Sequence, residues 1–346
     1  MVNNTTILTN EKFNINSVNL DFNLINKKSK FDNIDISYSD KKSIENIQEH
    51  EIKELTYGLG ETVFKNNIKY NNHKIVIDNK RKEEIKIVYN FDKNNDKLAN
   101  YININANNDA HITIVYKSNT IDYNLLNSIL KINVAENKIV VVDIINLLNN
   151  DSNSLVAIES TLENKAKITF NVIDLGSKNN ISNIYIKAKG ENSIGKINTI
   201  YLGRNKEFKD INYIAHLIGK NVNIDINVEG ALNEESRKNF KGTIDFKKGC
   251  IDSKGSESEI CTLLSPNTIS KSLPILLCTE EEVDGTHSSA SGKIEEDKIY
   301  YIMSRGIDRN EAIKIIMKAK FNKIIEKIKD EVIKNEIIEV IERKLD

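Results

Sequence analysis

The chain has 346 residues with 49 basic and 50 acidic side chains, a balance that argues against a general nucleic-acid binder. No stretch approaches the roughly 18 consecutive apolar residues of a membrane span, no secretory signal is visible at the start, and the three cysteines lack the spacing of a zinc finger. We therefore expect a cytoplasmic protein with no membrane or nucleic-acid partner.

The first region, residues 1–70, has no regular pattern except over residues 37–55. That segment is predicted to form a short amphipathic helix, since apolar residues recur on one side of it. They are Ile44, Ile47, Ile52 and Leu55. The glycine-containing turn at residues 57–60 is predicted to end this helix. We expect an irregular or helical N-terminal region.

The second region, residues 71–303, is predicted to consist of short strands. β-Branched and apolar residues alternate with Asn, Asp, Lys and Thr, the period-two pattern of a strand with one buried face. The predicted strands are residues 73–78, 84–90, 101–107, 111–117, 138–144, 166–175, 196–202 and 222–228.

A repeat marks this second region. Small turns precede successive strands, and their central asparagines are Asn108, Asn137, Asn164, Asn192 and Asn221, separated by 29, 27, 28 and 29 residues. A fixed period in this range indicates a solenoid, and the strands within each unit favour a parallel β-helix. Asparagine tolerates the left-handed turn conformation, so it suits such corners. We expect about seven coils stacked roughly 4.8 Å apart, with open sheet edges at the ends.

The third region, residues 304–346, is predicted to be helical. Asp308, with Glu311 three residues later, has the pattern of a capping box. Apolar residues then recur with helical spacing at Ile313, Ile316, Met317, Phe321 and Ile324. A second helix is predicted from Val332 to Leu345. The apolar face of these helices must pack against the end of the solenoid or against another protein.

The segment that joins the strands to the helices carries the clearest motif. The matched positions are Pro274, Glu281, Thr286-His287, Gly292, Glu295-Glu296, Tyr300-Tyr301 and Ser304-Arg305-Gly306-Ile307. This order, with thirteen residues from Pro274 to His287, resembles the C-terminal core of the SufB/SufD family, the scaffold subunits of the Suf iron–sulfur cluster assembly machine.

Weaker resemblances lie upstream in the same order. They involve Asp210 and His216, then Phe240 and Gly242, then the turn at residues 263–265. The continuous resemblance covers about residues 200–330. It implies a right-handed parallel β-helix flanked by terminal helical regions, the architecture that the repeat indicates independently.

The resemblance also implies partners. Family members SufB and SufD pair through their β-helices, and their C-terminal helices dock the ABC-type ATPase SufC. We therefore expect Ile313, Ile316, Met317, Phe321 and Ile324 to dock such an ATPase. The chain has no GxxxxGK[ST] loop, so ATP is expected to bind the partner and not this chain. The implied role is that of a non-enzymatic scaffold.

The resemblance implies a metal site at His287, because imidazole is a common ligand of iron. This site would hold a transient iron–sulfur cluster shared with the partner. Ser288 follows His287 where SufB carries Glu, which favours a SufD-like subunit. Glu259 occupies the position of a SufB cysteine, with Cys261 two residues later on the same strand face. Cys261 is either a displaced substitute for that cysteine or a buried core cysteine. The acidic residues Glu280–Glu282 and Asp284 either attract iron electrostatically or form a solvated acidic strand.

Other functions remain open at this stage. The chain could act as a SufB-like scaffold in a minimal system without a separate SufD, or form a homodimer alone. A β-helix enzyme acting on polysaccharide is the alternative of a different class, although no carboxylate pair at coil spacing is apparent.

Overall fold

This computed structural model describes residues 1–9, 11–38, 44–46, 52 and 54–346. Its N-terminal elements are the 3-10 helix η1 (Glu11–Phe13), strands β1 (Ile34–Tyr38) and β2 (Ile44–Asn46), and helix α1 (Glu61–Tyr70). Between residues 73 and 292, all of which are described, the strands are β3 (His73–Asp78), β4 (Glu83–Phe91), β5 (Lys97–Ala106), β6 (Ala110–Ser118), β7 (Leu125–Val134), β8 (Ile139–Leu147), β9 (Asn153–Leu162), β10 (Lys167–Asp174), β11 (Asn179–Ala188), β12 (Ile194–Gly203), β13 (Phe208–Leu217), β14 (Asn223–Leu232), β15 (Arg237–Phe246), β16 (Ser253–Leu263), β17 (Ile269–Cys278) and β18 (Val283–Gly292). The C-terminal helices are α2 (Glu296–Met303), α3 (Arg309–Ile325) and α4 (Glu331–Leu345).

The strands from β3 to β18 wind into a parallel β-helix of about eight turns, which confirms the predicted fold. Each turn contributes one strand to each of two sheets. Sheet 1 has the order β1-β4-β6-β8-β10-β12-β14-β16-β18, and sheet 2 the order β17-β15-β13-β11-β9-β7-β5-β3-β2. Apolar side chains of both sheets fill the space between them, which we call the lumen.

The asparagine repeat marks one corner of five turns, and three of its five asparagines adopt the left-handed backbone that it predicts. Asn137, Asn192 and Asn221 adopt left-handed backbone angles, with φ of 59°, 57° and 52°, as the repeat predicts. At the corner of Asn164 the left-handed residue is instead its neighbour Lys165, with φ of 56°. Asn164 stabilises the stack differently, because its side-chain oxygen accepts a hydrogen bond from the Glu191 amide of the next turn at 3.0 Å.

The central strands are buried on both faces, which differs from the predicted single buried face. All residues but one in β9, and likewise in β11, are buried. The cause is that the terminal regions of the chain cover the outer faces of the sheets. Val2 and Val63 of the N-terminal region pack against Leu155 of sheet 2.

The N-terminal segment is also tied to sheet 2 by buried polar contacts. The Asn3 side chain donates to Asp210 Oδ2 at 2.7 Å, and Lys241 Nζ donates to the Asn3 carbonyl oxygen at 2.7 Å. Lys241 also forms an ion pair with Asp210 at 2.7 Å, with both side chains fully buried. Asp210, which the resemblance brought forward, thus has a structural role on the outer face of sheet 2.

Helices α3 and α4 cover the outer face of sheet 1. Met317 and Phe321 are fully buried there, and Ile324 is 6% exposed. Lys344 of α4 adds a buried ion pair, because its Nζ donates to both carboxylate oxygens of Glu207 at 2.6 Å. The apolar face of the helices therefore packs along the side of the β-helix and not on its end.

The predicted partner-docking residues lie on α3, and their docking to a partner stays a prediction. Met317, Phe321 and Ile324 contact the chain's own sheet, and Ile313 packs partly against the same cluster. Ile316 is partly exposed. Met317, Phe321 and Ile324 therefore already bury their apolar surface within the chain. Among the described helices, none is both long and apolar enough to cross a membrane.

The N-terminal region differs from its prediction. Residues 37 and 38 end strand β1, and residues 44–46 form β2, so a continuous helix over residues 37–55 is wrong. Ile47 and most of the remaining segment lie outside the described residues. The turn at residues 57–60 precedes a helix instead of ending one, since Gly60, with φ of 104°, is the N-cap of α1.

The C-terminal boundary shifts by one short helix. Helix α2 lies within residues 71–303, which the sequence assigned to the β-helix, and follows β18 after three residues. Helix α3 begins as predicted, because the Asp308 side chain accepts a hydrogen bond from the Glu311 amide at 3.0 Å. Helix α4 begins at Glu331, one residue before the predicted start.

Candidate functional site

His287 lies in β18, the last strand of sheet 1. In the described chain β18 pairs only with β16, and β17 only with β15, so both strands present a free edge at this end of the β-helix. Most of β18 is exposed, including His287. The resemblance therefore identified a histidine at the open end of the lumen.

The neighbours of His287 fix the direction of its side chain. Ser289, two residues later, donates a hydrogen bond to the buried Glu259 Oε2 at 2.9 Å. Two residues earlier, a Cβ added to Gly285 would contact Leu276 and Phe246 on the opposite sheet. Alternate residues of a strand share one face, so His287 lies on the lumen face between Gly285 and Ser289.

Glu259 is fully buried below this end of the lumen, and both of its carboxylate oxygens accept hydrogen bonds. Its Oε1 accepts from Lys238 Nζ at 2.7 Å and from Tyr201 at 3.1 Å, and its Oε2 accepts from Ser272 at 2.9 Å as well as from Ser289. The ion pair with Lys238 has both side chains fully buried. These contacts join β12, β15, β16, β17 and β18. Glu259 therefore stabilises the open end, and its oxygens are not free for a metal.

Cys261 is 1% exposed and belongs to the apolar core of the lumen. Burial raises the pKa of its thiol, so the neutral form is favoured. This environment matches the second of the two interpretations, a small core cysteine.

Glu257 is the residue of this end that the sequence analysis missed. It is 2% exposed, and neither of its carboxylate oxygens has a hydrogen-bond partner among the described residues. Burial, together with the nearby Glu259 charge, raises its pKa to about 8. Its carboxylate reaches across the lumen to Gly242, where an added Cβ would lie 2.3 Å from it. The sequence signal was the alternation Glu257-Ser258-Glu259 within a strand, which places both carboxylates on one face.

The acidic residues Glu280–Glu282 lie in the loop between β17 and β18, and Glu280 stabilises this loop. Glu280 accepts hydrogen bonds from the Gly249 amide at 2.8 Å and from the Glu281 amide at 3.0 Å, and these contacts lower its pKa. Asp284 is exposed on the outer face of β18, where Lys254 lies 4.0 Å away. The Glu280 carboxylate is therefore already engaged in hydrogen bonds to backbone amides.

His216, the other histidine in the family resemblance, lies on sheet 2. His216 is on the outer face of sheet 2, with its Nδ1 3.1 Å from the Tyr185 hydroxyl and its Nε2 3.5 Å from Asp245 Oδ2. Burial lowers its pKa, and Asp245 opposes this shift. The structure thus separates His216 from His287.

The predicted metal residues do not form one cluster. Among the described residues, no group of three or more His, Cys, Asp or Glu side chains is arranged to hold a metal ion. Glu259 and Cys261 point into the lumen below His287 but are occupied or buried. The other two cysteines, Cys250 and Cys278, are free thiols, buried and exposed respectively.

A family model described as the SUF system FeS cluster assembly, SufBD core domain, matches residues 87–320. The chain belongs to the SufBD family. The matched range includes the β-helix from within β4 to its open end, and most of α3.

Curated relatives agree with this assignment. The chain is 25% identical over 166 residues to the iron–sulfur cluster assembly protein SufD of Bacillus subtilis, which covers 48% of this chain and 37% of the relative. It is 30% identical over 149 residues to a SufBD family protein of Pyrococcus horikoshii, covering 42% of this chain and 32% of the relative. A SufBD family protein of Methanocaldococcus jannaschii is 27% identical over 112 residues, with 31% and 33% covered. The matches thus span about a third of the length of each relative.

Proposed function

We propose that this chain is a non-enzymatic, SufD-like scaffold subunit for iron–sulfur cluster assembly in the cytoplasm. The observation that carries this proposal is His287 on the lumen face of a strand whose outer edge has no partner among the described strands. Membership of the SufBD family supports the process, and Ser288, where SufB carries Glu, supports the SufD-like role.

The proposed partner at the open end is a SufB-like subunit. Unpaired strand edges carry rows of free backbone donors and acceptors, which another strand can satisfy. Two such edges, β17 and β18, end the sheets side by side. In this arrangement a transient cluster would be shared between His287 and residues of the partner.

We place the proposed docking of a SufC-like ATPase on α2 instead of on the apolar face of α3. Tyr300 and Tyr301 are 67% and 62% exposed, and the Tyr301 hydroxyl accepts a hydrogen bond from Arg305. Exposed tyrosines beside an arginine have the composition of an interface centre. ATP is proposed to bind that partner.

Copurification tests this function. The tagged chain is expressed together with the SufB-like and SufC-like proteins of the same genome, and we expect both to be retained. Tyr300→Ala with Tyr301→Ala should weaken binding of the ATPase at least tenfold, whereas Val332→Ala, at an exposed site of α4, should not.

Retention of neither partner would refute the scaffold proposal. Retention of the ATPase without a SufB-like subunit, together with a homodimer, would instead favour the minimal SufB-like role.

A further inference from the structure

Two cysteines lie at one corner of the β-helix, next to its open end. Cys250 is fully buried in the apolar core of the lumen, whereas Cys278, at the end of β17, is exposed. The proposed scaffold function uses neither thiol. An exposed cysteine beside a second one is typical of redox-sensitive pairs, in which the first sulfur meets the oxidant and the second resolves the product.

The strand register places both thiols on the same side of sheet 2. Cys278 of β17 is the parallel partner of Phe246 of β15, and the Phe246 ring belongs to the core of the lumen. Register partners in a sheet point to the same face, so the Cys278 side chain also lies on the lumen side. The Cys250 thiol is buried in that same core. The backbone of β17 therefore does not separate the two sulfurs.

Two stacked corner segments bring the cysteines together. The Asp252 amide donates to the Glu282 carbonyl oxygen of the next turn at 2.8 Å, and the paired strands β16 and β18 follow with the same offset. Two residues earlier in both segments, Cys250 lies below Glu280. The Cys278 thiol donates a hydrogen bond to the Glu280 carbonyl oxygen at 2.8 Å. The exposed sulfur thus contacts the residue that stacks on Cys250.

The charges at this corner agree with that arrangement. Burial raises the pKa of the Cys250 thiol, and the negative charges of Glu280 and of an ionised Cys278 raise it further. The Glu280 carboxylate is held at the corner, because it accepts a hydrogen bond from the Gly249 amide at 2.8 Å. Cys250 is therefore the less reactive thiol, and Cys278 is the one that meets a reagent from solvent.

We propose that Cys278 and Cys250 form a reversible disulfide that ties β17 to the corner beneath it, with a low-molecular-weight disulfide as the oxidant. The Cys278 thiolate attacks one sulfur of the oxidant, whose S–S bond breaks, and one small thiolate leaves. Cys250 then loses its proton to solvent and attacks the Cys278 sulfur, which releases the second small thiolate. The two protein thiols lose two electrons and two protons, and the oxidant becomes two small thiols.

The bond would fasten an edge strand. Adjacent turns lie about 4.8 Å apart, which is inside the Cα separation of about 4.4 to 6.8 Å that disulfides span. Strand β17 pairs with β15 and has no outer neighbour among the described strands. A disulfide from its last residue to the preceding turn restricts its local opening. Oxidation is therefore expected to make the open end more rigid.

The experiment uses the full-length chain, purified anaerobically and then incubated with excess oxidised glutathione as the probe. Alkylation of the remaining thiols, proteolysis and mass spectrometry identify the linked peptides. We expect one disulfide, between Cys250 and Cys278, with Cys261 still reduced, and its reversal by excess reduced glutathione. Hydrogen exchange at the β17 amides should slow by about tenfold in the oxidised chain.

Two variants separate the roles of the thiols. Cys250→Ser should retain glutathione on Cys278, because no resolving thiol remains, and its β17 amides should exchange at the reduced rate. Cys278→Ser should leave Cys250 reduced. Cys261→Ser is the matched control, since it removes another buried lumen thiol and should not alter the disulfide. Circular dichroism shows that each variant is folded.

Three results would overturn the proposal. The first is stable attachment of glutathione to Cys278 in the folded wild type while Cys250 stays reduced. The second is a disulfide between two chains through Cys278, and the third is the absence of any reaction with oxidised glutathione. Copurification is measured separately on the reduced chain, so the disulfide and the scaffold function can fail independently.

Discussion

The two sheets of the β-helix end in different kinds of strand at the first turn and at the last turn. At the first turn, β1 pairs antiparallel with β4 and β2 pairs antiparallel with β3, so each sheet ends there in a short antiparallel strand, of five and three residues, and we call this the closed end. At the last turn, β17 and β18 are left without an outer neighbour in the described chain. Since short edge strands resist association, the ten-residue edges of β17 and β18 favour a strand-to-strand partner at the last turn.

The cores beneath the two ends differ as well. Phe31 packs on Phe91 and Tyr89 at the closed end, with ring centroids 4.9 and 6.0 Å apart, and extends the apolar core beyond the first turn. At the open end the last layers contain Lys238, Glu257 and Glu259. The core beneath the open end thus contains buried charged side chains, whereas the core beneath the closed end is extended by an aromatic ring.

The largest expected effect tests the closed end. Phe31→Ala should lower the free energy of unfolding by about 4 kcal/mol, because it removes a buried aromatic ring and leaves a cavity. The matched variant Leu276→Ala, at a 36% exposed site of β17, should cost less than about 1 kcal/mol in the isolated chain. Urea unfolding followed by circular dichroism measures both. Equal losses would contradict the proposed difference between the ends.

The next effect tests the polar lumen. Lys238→Met should destabilise the chain by about 3 kcal/mol, because it leaves Glu259 as an uncompensated buried charge. Adding Glu259→Gln should restore part of that loss, which a double-mutant cycle measures. If Lys238→Met were neutral, the ion pair would not hold the open end together.

The smallest effect concerns pH. The pKa of Glu257 is raised to about 8 in the folded chain, so folding favours the protonated form. Its contribution to stability is complete at low pH and is lost as the pH rises towards 8. Between pH 6 and 8 this loss amounts to about 2 kcal/mol.

Glu257→Gln should flatten the dependence of the unfolding free energy on pH over that range. The control Glu282→Gln, in the exposed loop before β18, should keep the wild-type slope. An unchanged slope in Glu257→Gln would show that this carboxyl group ionises normally.

Local patterns in the sequence predicted those elements whose stability is local. The predicted strand at residues 73–78 matches β3, and Asp308 caps α3 as its spacing indicates. The turns at Asn137, Asn192 and Asn221 also follow from one residue's preference for a left-handed backbone. The family resemblance singled out His287. The hydrophobic periodicity alone does not distinguish it from an ordinary surface histidine.

The features that the sequence did not predict depend on contacts between distant parts of the chain. The apolar stripe of α3 indicated burial, but only the fold shows that Phe321 packs on sheet 1 and not on a partner. Whether Glu257 has a partner depends on which carboxylate Lys238 reaches, and both Glu257 and Glu259 lie on the same strand face. The helix predicted at residues 37–55 fails at β2, whose pairing with β3 competes with local helical propensity.

The anchoring of Asn3 to Asp210 and Lys241 has a consequence for biosynthesis. Stacked turns join residues about 30 positions apart, so each turn of the β-helix can form soon after it leaves the ribosome. Asn3 and Lys241 are 238 positions apart. At about 5 to 20 residues per second, the ribosome needs roughly 10 to 50 s to make that span. During this interval Asn3 lacks its partner Lys241, so the N-terminal segment stays without this anchor until most of the β-helix has been made.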